Sequence, residues 1–155
     1  MKKSVAYFVL VSLMAGAIGG YFTADAVKWW YPSLIKPWFT PPSIVFGPVW
    51  TILYILMGLS GSLAWEKAKK EYDRISVGVL FHLQLILNIA WSFFFFWFQR
   101  PDVAMTVILA LWCAIMSCVI TFAKYSSKAS NLLLPYLLWV SFASLLNYSV
   151  WQLNK

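Results

Sequence analysis

Charged side chains are sparse along this 155-residue chain, and they fall in clusters rather than evenly. Between them lie five uncharged runs, at 4–24, 37–65, 75–99, 103–123 and 129–154. Each is longer than the ~18–20 residues that carry a helix across about 30 Å of hydrocarbon. The pattern predicts an all-α membrane protein, a single bundle of five transmembrane helices spanning 1–155 as one domain. The run 37–65 is overlong because it begins in a loop. Five of the seven prolines crowd into residues 29–54, Pro32, Pro37, Pro41, Pro42 and Pro48, beside Trp29, Trp30, Trp38 and Trp50. Proline lacks an N–H and fixes φ, so 25–43 reads as a stiff aromatic loop that enters a helix near Ser43, the expected N-cap. Loop 66–74 is a charged turn.

Within the helices, spacing assigns faces. Phe46, Trp50 and Tyr54 recur at i, i+4, i+8, one aromatic stripe, with the small residues Gly58, Gly61 and Ser62 a turn later. Bulky rings near the rigid loop and small residues deeper describe a cavity that opens toward the loop. Gln84, Asn88, Trp91 and Ser92 share a face, and polar groups in hydrocarbon need partners, so that face points into the bundle. Trp139, Ala143 and Asn147 align on the fifth helix, which begins after Ser130 and contains Pro135. Thr106, Ala110, Cys113, Ser117 and Thr121 form a small-residue seam for close packing on the fourth. Gly16 and Gly20 make a G-x-x-x-G pair, for packing within the bundle or across a homodimer. Phe93 to Phe98, six aromatics in succession, are expected mostly at lipid or the interface, as are Trp29, Trp30 and Trp38.

Composition agrees with the pattern: 62% hydrophobic and 11% charged residues, against about 45–50% and about 25% in soluble domains. The net charge of +7 does not mark a nucleic-acid partner, because the basic residues are scattered among short loops. Lys2, Lys3, Lys67, Lys69, Lys70, Arg74, Lys124 and Lys128 fall on one side and Lys28, Lys36, Arg100 and Lys155 on the other, eight against four. Positive-inside bias then places the N-terminus in the cytoplasm and loop 36–42 on the far side. The first apolar run outlasts a signal-peptide core, so it reads as a retained helix. Cys113 and Cys118 point apart on one helix and read as buried free thiols.

Hydrolytic and phosphoryl-transfer constellations are absent from the sequence, and no metal-ligand cluster stands out; the lone His82 lies off the Asn88 face. What remains is a ring-lined cavity with one or two amides and a basic rim at Lys28 and Lys36. Flat apolar aromatic molecules suit such walls, with amides fixing orientation. A porphyrin without iron needs no axial ligand, and its propionates would lie near Lys36 or Lys28.

Three stretches carry a resemblance. Lys36 to Tyr54 reads K-P-x-F-x-P-P-x-x-x-x-x-P-V-W-T-x-L-Y, Gln84 to Ser92 reads Q-L-x-L-N-x-A-W-S, and Leu133 to Tyr148 reads L-L-P-Y-L-L-W-x-x-F-A-x-x-L-N-Y. In this order they resemble the TspO/MBR family of translocator and tryptophan-rich sensory proteins, in its bacterial form, over nearly the whole chain. The resemblance implies an integral membrane protein of the bacterial cell membrane. It implies tetrapyrrole binding, protoporphyrin IX above all, beneath the first loop, with no cofactor or metal required. The implied pocket is Tyr31, Pro42, Phe46, Trp50, Asn88, Trp91, Trp139, Ala143 and Leu146. It also implies light-dependent breakdown of protoporphyrin in which Trp50 and Trp139 take part. A receptor, a photo-oxidative enzyme and a transporter stay open, in that order; an inverted repeat or intramembrane acid of the transporter kind is missing. The basic residue of the animal cholesterol motif is replaced here by Gln152, and Lys155 lies too far along, which argues against sterol recognition through it.

Overall fold

A computed structural model describes residues 3–155. The five expected helices are all present: α1 (Lys3–Trp29), α2 (Phe46–Lys67), α3 (Glu71–Ser92), α4 (Pro101–Ala123) and α5 (Ser127–Leu153). A π-helical turn, Phe93–Trp97, continues α3, and two 3-10 turns, Tyr31–Ser33 and Ser43–Val45, punctuate the loop between α1 and α2. All five membrane-length segments are apolar enough to cross a bilayer, and no strand occurs among the described residues. The protein is an all-α integral membrane protein. Consecutive helices alternate in direction, so the N-terminus and the turns 68–70 and 124–126 share one end. The long loop, the α3–α4 turn and the C-terminus share the other.

Helix ends follow local chemistry, with several departures from expectation. Apolar and helix-compatible residues carry α1 on to Trp29, so Asp25 and Lys28 are helical and the loop is shorter than 25–43. Ser43 does not cap α2: it opens a 3-10 turn whose carbonyl accepts the Phe46 N–H, and α2 starts without a side-chain cap. Pro48 sits in the first turn of α2, where its missing N–H would have had no helical acceptor in any case. The fifth helix begins earlier than Ser130, because the Ser126 side chain accepts from the Ala129 N–H and nucleates it. Lys2, counted in the charge asymmetry, lies outside the described residues.

Small residues set how closely the helices pack. A Cβ on Gly58 would lie 2.5 Å from Val9 Cα, and one on Gly61 2.7 Å from the Phe8 ring, so α1 and α2 touch backbone to side chain at this depth. Gly16 is likewise committed inside the chain, since an added Cβ would meet the Tyr54 ring at 2.6 Å. That removes Gly16 from a surface shared between two copies. The α4 seam is reversed: Thr106, Ala110 and Cys113 face outward, while Ala104, Ile108, Leu111, Ile115, Cys118 and Phe122 pack inward. The hydroxyls of Thr106 and Ser117 bond back to their own helix at Val103 O and Cys113 O, so they need no partner helix. Only Cys118 of the two free cysteines is buried.

Candidate ligand cavity

Four helices, the π turn and the first loop enclose a cavity of about 390 Å³ at the loop end of the bundle. From α2 come Phe46, Trp50 and Tyr54, the i, i+4, i+8 stripe; from α5 come Trp139, Ala143, Leu146 and Asn147. Trp91 and Ser92 end α3, and the π turn adds Phe95 and Phe96. Tyr31 closes the top, and α1 supplies a wall of small residues around Gly16, Gly19 and Gly20. The rings pack at mutual angles. Trp50 lies 6.1 Å from Trp91 at 34° and 6.5 Å from Trp139 at 89°, and Phe46 lies 5.9 Å from Trp139. The result is an apolar chamber with aromatic surfaces facing several directions.

Seven of the nine residues named from sequence line this chamber: Tyr31, Phe46, Trp50, Trp91, Trp139, Ala143 and Leu146. Pro42 stands on the exposed loop and Asn88 lies beneath the floor, and neither lines the chamber. Asn88 accepts at Oδ1 from the Tyr54 hydroxyl at 2.6 Å and donates from Nδ2 to the Tyr136 hydroxyl at 3.0 Å. Its amide joins α2, α3 and α5, with one bond at the oxygen and one at the nitrogen committed within the protein. Asn147 is similarly engaged, accepting from Trp91 Nε1 at 3.0 Å and donating to Pro101 O at 2.8 Å. Gln84 donates to Phe81 O at 2.9 Å, away from the chamber. The orienting role expected of the amides finds only Asn147 at the chamber, bonded at both ends within the protein.

Two polar atoms are candidates for it. The Tyr31 hydroxyl and the Trp139 indole N–H are buried without any hydrogen-bond partner, and both residues line the chamber. Leaving a buried donor unpaired costs about 1–3 kcal/mol. Burial pushes the Tyr31 phenol above its usual pKa, so it stands as a neutral donor. Two residues lining the chamber thus carry unpaired donors, in a setting otherwise made of rings and aliphatic surface.

The roof is held by specific bonds. Asn154, past the end of α5, accepts from Ile35 N–H at 3.0 Å and donates to Ile35 O at 2.9 Å, pairing with the loop as a strand would. Lys36 donates from Nζ to the carbonyls of Tyr31, Pro32 and Leu34 at 2.9, 3.1 and 2.9 Å. All three of its protons are thereby used inside the loop, so the expected pairing of Lys36 with a ligand carboxylate has no free donor. Lys28 is exposed on the last turn of α1. Trp30, expected at the interface, instead packs edge-on against Phe95 at 5.7 Å, while Trp29 and Trp38 are exposed as a belt requires.

Among the described residues no group of three or more His, Cys, Asp or Glu could hold a metal. His82 faces α1, with Nδ1 2.7 Å from Gly78 O and Nε2 3.1 Å from the Tyr7 hydroxyl. Phe95 and Phe96 are the chamber residues that sequence reading assigned to lipid. Phe95 stands seven positions past Asn88 and four past Trp91, so helical spacing itself continues the inward face through it, and Phe96 lies beside it. The α1 wall was also unassigned, because its residues contribute by being small.

Fold and cavity together define a polytopic helical membrane protein with an aromatic chamber under a latched loop. Comparison with known proteins makes the class specific. The model of the TspO/MBR family matches residues 8–152. The tryptophan-rich protein TspO of Chlorobaculum tepidum is 42% identical, with 99% of each chain covered. That of Archaeoglobus fulgidus is 42% identical over 94% of each. The human translocator protein is 34% identical over 95% of this chain and 88% of its own. This chain belongs to the TspO/MBR family.

Proposed function

We propose that this protein is a membrane receptor or sensor for tetrapyrroles such as protoporphyrin IX and for similar flat apolar ligands. The observation that carries the reading is the pair of unpartnered buried donors, Tyr31 Oη and Trp139 Nε1, on a chamber walled by Trp50, Trp91, Phe46 and Phe95. A flat molecule with acceptor atoms fills such a site by stacking on the rings and pairing the two donors. Relatives carry the names tryptophan-rich sensory protein, in Cereibacter sphaeroides, and translocator protein, in Homo sapiens, which supports a sensing or carrying role in a membrane. The membrane is that of a bacterial cell with the N-terminus inside, on the charge asymmetry. A homodimer remains part of the proposal, on faces other than Gly16. The test is titration of the purified protein with protoporphyrin IX in the dark, read by tryptophan quenching. Saturable one-to-one quenching supports the reading, and quenching no larger than in free tryptophan with the same porphyrin contradicts it.

A second reading rests on the clustering of Trp50 with Trp91, Trp139 and Tyr54 within 6.5 Å. Light-excited porphyrin beside electron-rich indoles, with dioxygen as oxidant, would be consumed inside a water-poor chamber. Phenylalanine at both Trp50 and Trp139 keeps ring area and removes the redox activity. Loss of porphyrin under light that stops in this variant at porphyrin concentrations that saturate it, since Trp139→Phe also removes a donor, makes the protein an enzyme as well. Loss at the wild-type rate leaves these two residues as walls.

A further inference from the structure

The chamber is not closed on every side. Helices α1 and α2 are in tight contact at Gly58 against Val9, and still in contact where Gly16 meets the Tyr54 ring. One turn nearer the loop they have parted. A Cβ added to Gly20 or to Gly47 would meet no heavy atom within 4 Å, yet both glycines line the chamber and both are exposed. Ala17 and Thr51, beside them, also line the chamber and are exposed. This gap lies between two helices long and apolar enough to cross a membrane, so in a bilayer spanned by them it would face hydrocarbon.

The rims of the gap are apolar in effect. Thr23 spends its hydroxyl on Gly19 O at 2.8 Å and Thr51 on Gly47 O at 2.9 Å. Neither is left to solvate a polar molecule in transit. The aqueous end, by contrast, is shut by Tyr31, by the Asn154–Ile35 pair and by Lys36 bonded to three loop carbonyls.

Resting on the receptor reading, we infer that the site exchanges its ligand with the bilayer through the slot between α1 and α2, and not with water through the loop. The ligand class follows from the route: a hydrocarbon-soluble, flat molecule that carries acceptor atoms for Tyr31 and Trp139 and enters edge-first past Gly20 and Gly47. A molecule confined to water meets only the latched roof.

Protein reconstituted in phosphatidylcholine vesicles provides the test, with protoporphyrin IX as the probe after it has partitioned into the membrane. Stopped-flow tryptophan quenching gives association, and an excess of empty vesicles gives release. Gly20→Leu/Gly47→Leu places side chains in the slot where the backbone has room for them. Thermal unfolding checks that the variant is folded, and Gly20→Leu alone serves if the pair is not. The plugged protein is expected to lose at least tenfold in both association and release rates, while Asn154→Ala, which unlatches the loop, leaves both at their wild-type values. Unchanged rates in the plugged protein, weaker binding through faster release, or acceleration by Asn154→Ala would each overturn the lateral route. No uptake of protoporphyrin IX by the wild type would remove the receptor reading itself, and the route with it.

Discussion

Two halves of the same helix pair, α1 with α2, use glycine in opposite ways. In the half remote from the loop, Gly58 and Gly61 receive Val9 and Phe8 so closely that a methyl group has no space. In the half beside the loop, Gly20 and Gly47 receive nothing. The first half is solid, with Phe8, Met57, Phe81 and Ala64 buried together, and the second encloses the chamber. Without a hydrophobic drive between helices in lipid, contact depends on shape, so small residues bind helices only where a partner surface fills the space they leave. Where none does, the same residue type makes an opening. A glycine pattern alone therefore does not distinguish a weld from a gap.

The comparison can be broken by substitution. Gly58→Leu forces a side chain against the α1 backbone at Val9 and is expected to destabilise the protein by about 3 kcal/mol, the upper end of overpacking costs. Thermal unfolding in detergent should show it as a large fall in midpoint. A midpoint unchanged from the wild type would mean that the two helices are not in contact there.

Asn88→Leu comes next. It strands the hydroxyls of Tyr54 and Tyr136, which costs about 1–3 kcal/mol. Removing both hydroxyls in Tyr54→Phe/Tyr136→Phe/Asn88→Leu should recover most of the loss. A triple variant as unstable as Asn88→Leu would show that the amide acts by some other contact.

Sequence made the first half of this picture legible and only part of the second. Sparse charges fix five spans, and the regular spacing of Phe46, Trp50 and Tyr54 fixes one chamber wall, since both depend on local periodicity. Asn88 was correctly placed inside the bundle, but its partners, Tyr54 and Tyr136, are 34 and 48 positions away, and only packing reveals that they consume the amide. Phe95 and Phe96 are hidden because six successive aromatics show no polar contrast, although Phe95 continues the Asn88 and Trp91 face at i+7 and i+4. The α4 seam was assigned the wrong way round because a stripe of small residues shows a face and not the direction in which it points.

Smaller effects should follow at the roof. Asn154→Ala removes both bonds to Ile35 at an exposed site and is expected to cost about 1 kcal/mol or less locally. Faster amide hydrogen exchange at Ile35, with no change in global unfolding, is the expected signature. Uniform exchange with the wild type would mean that Lys36 alone holds the loop.

Least of all is expected from Gly20→Ala and Gly47→Ala. Each adds a methyl group to open space and gains helix propensity of up to about 1 kcal/mol relative to glycine. Thermal midpoints equal to or slightly above the wild type fit the contrast with Gly58. A marked fall at either position would mean that the gap is filled in the membrane.

The central claim is that the chamber recognises its ligand through two donors that the protein leaves unpaired. Equilibrium titration of protoporphyrin IX into the wild type and into Tyr31→Phe/Trp139→Phe tests it most directly, because ring area is largely kept while both donors are lost. With about 1–3 kcal/mol assigned to each buried donor that would otherwise go unpaired, the variant should bind at least ten times more weakly, while the ligand-free protein is at least as stable as the wild type. Equal affinity in the two proteins would contradict the claim.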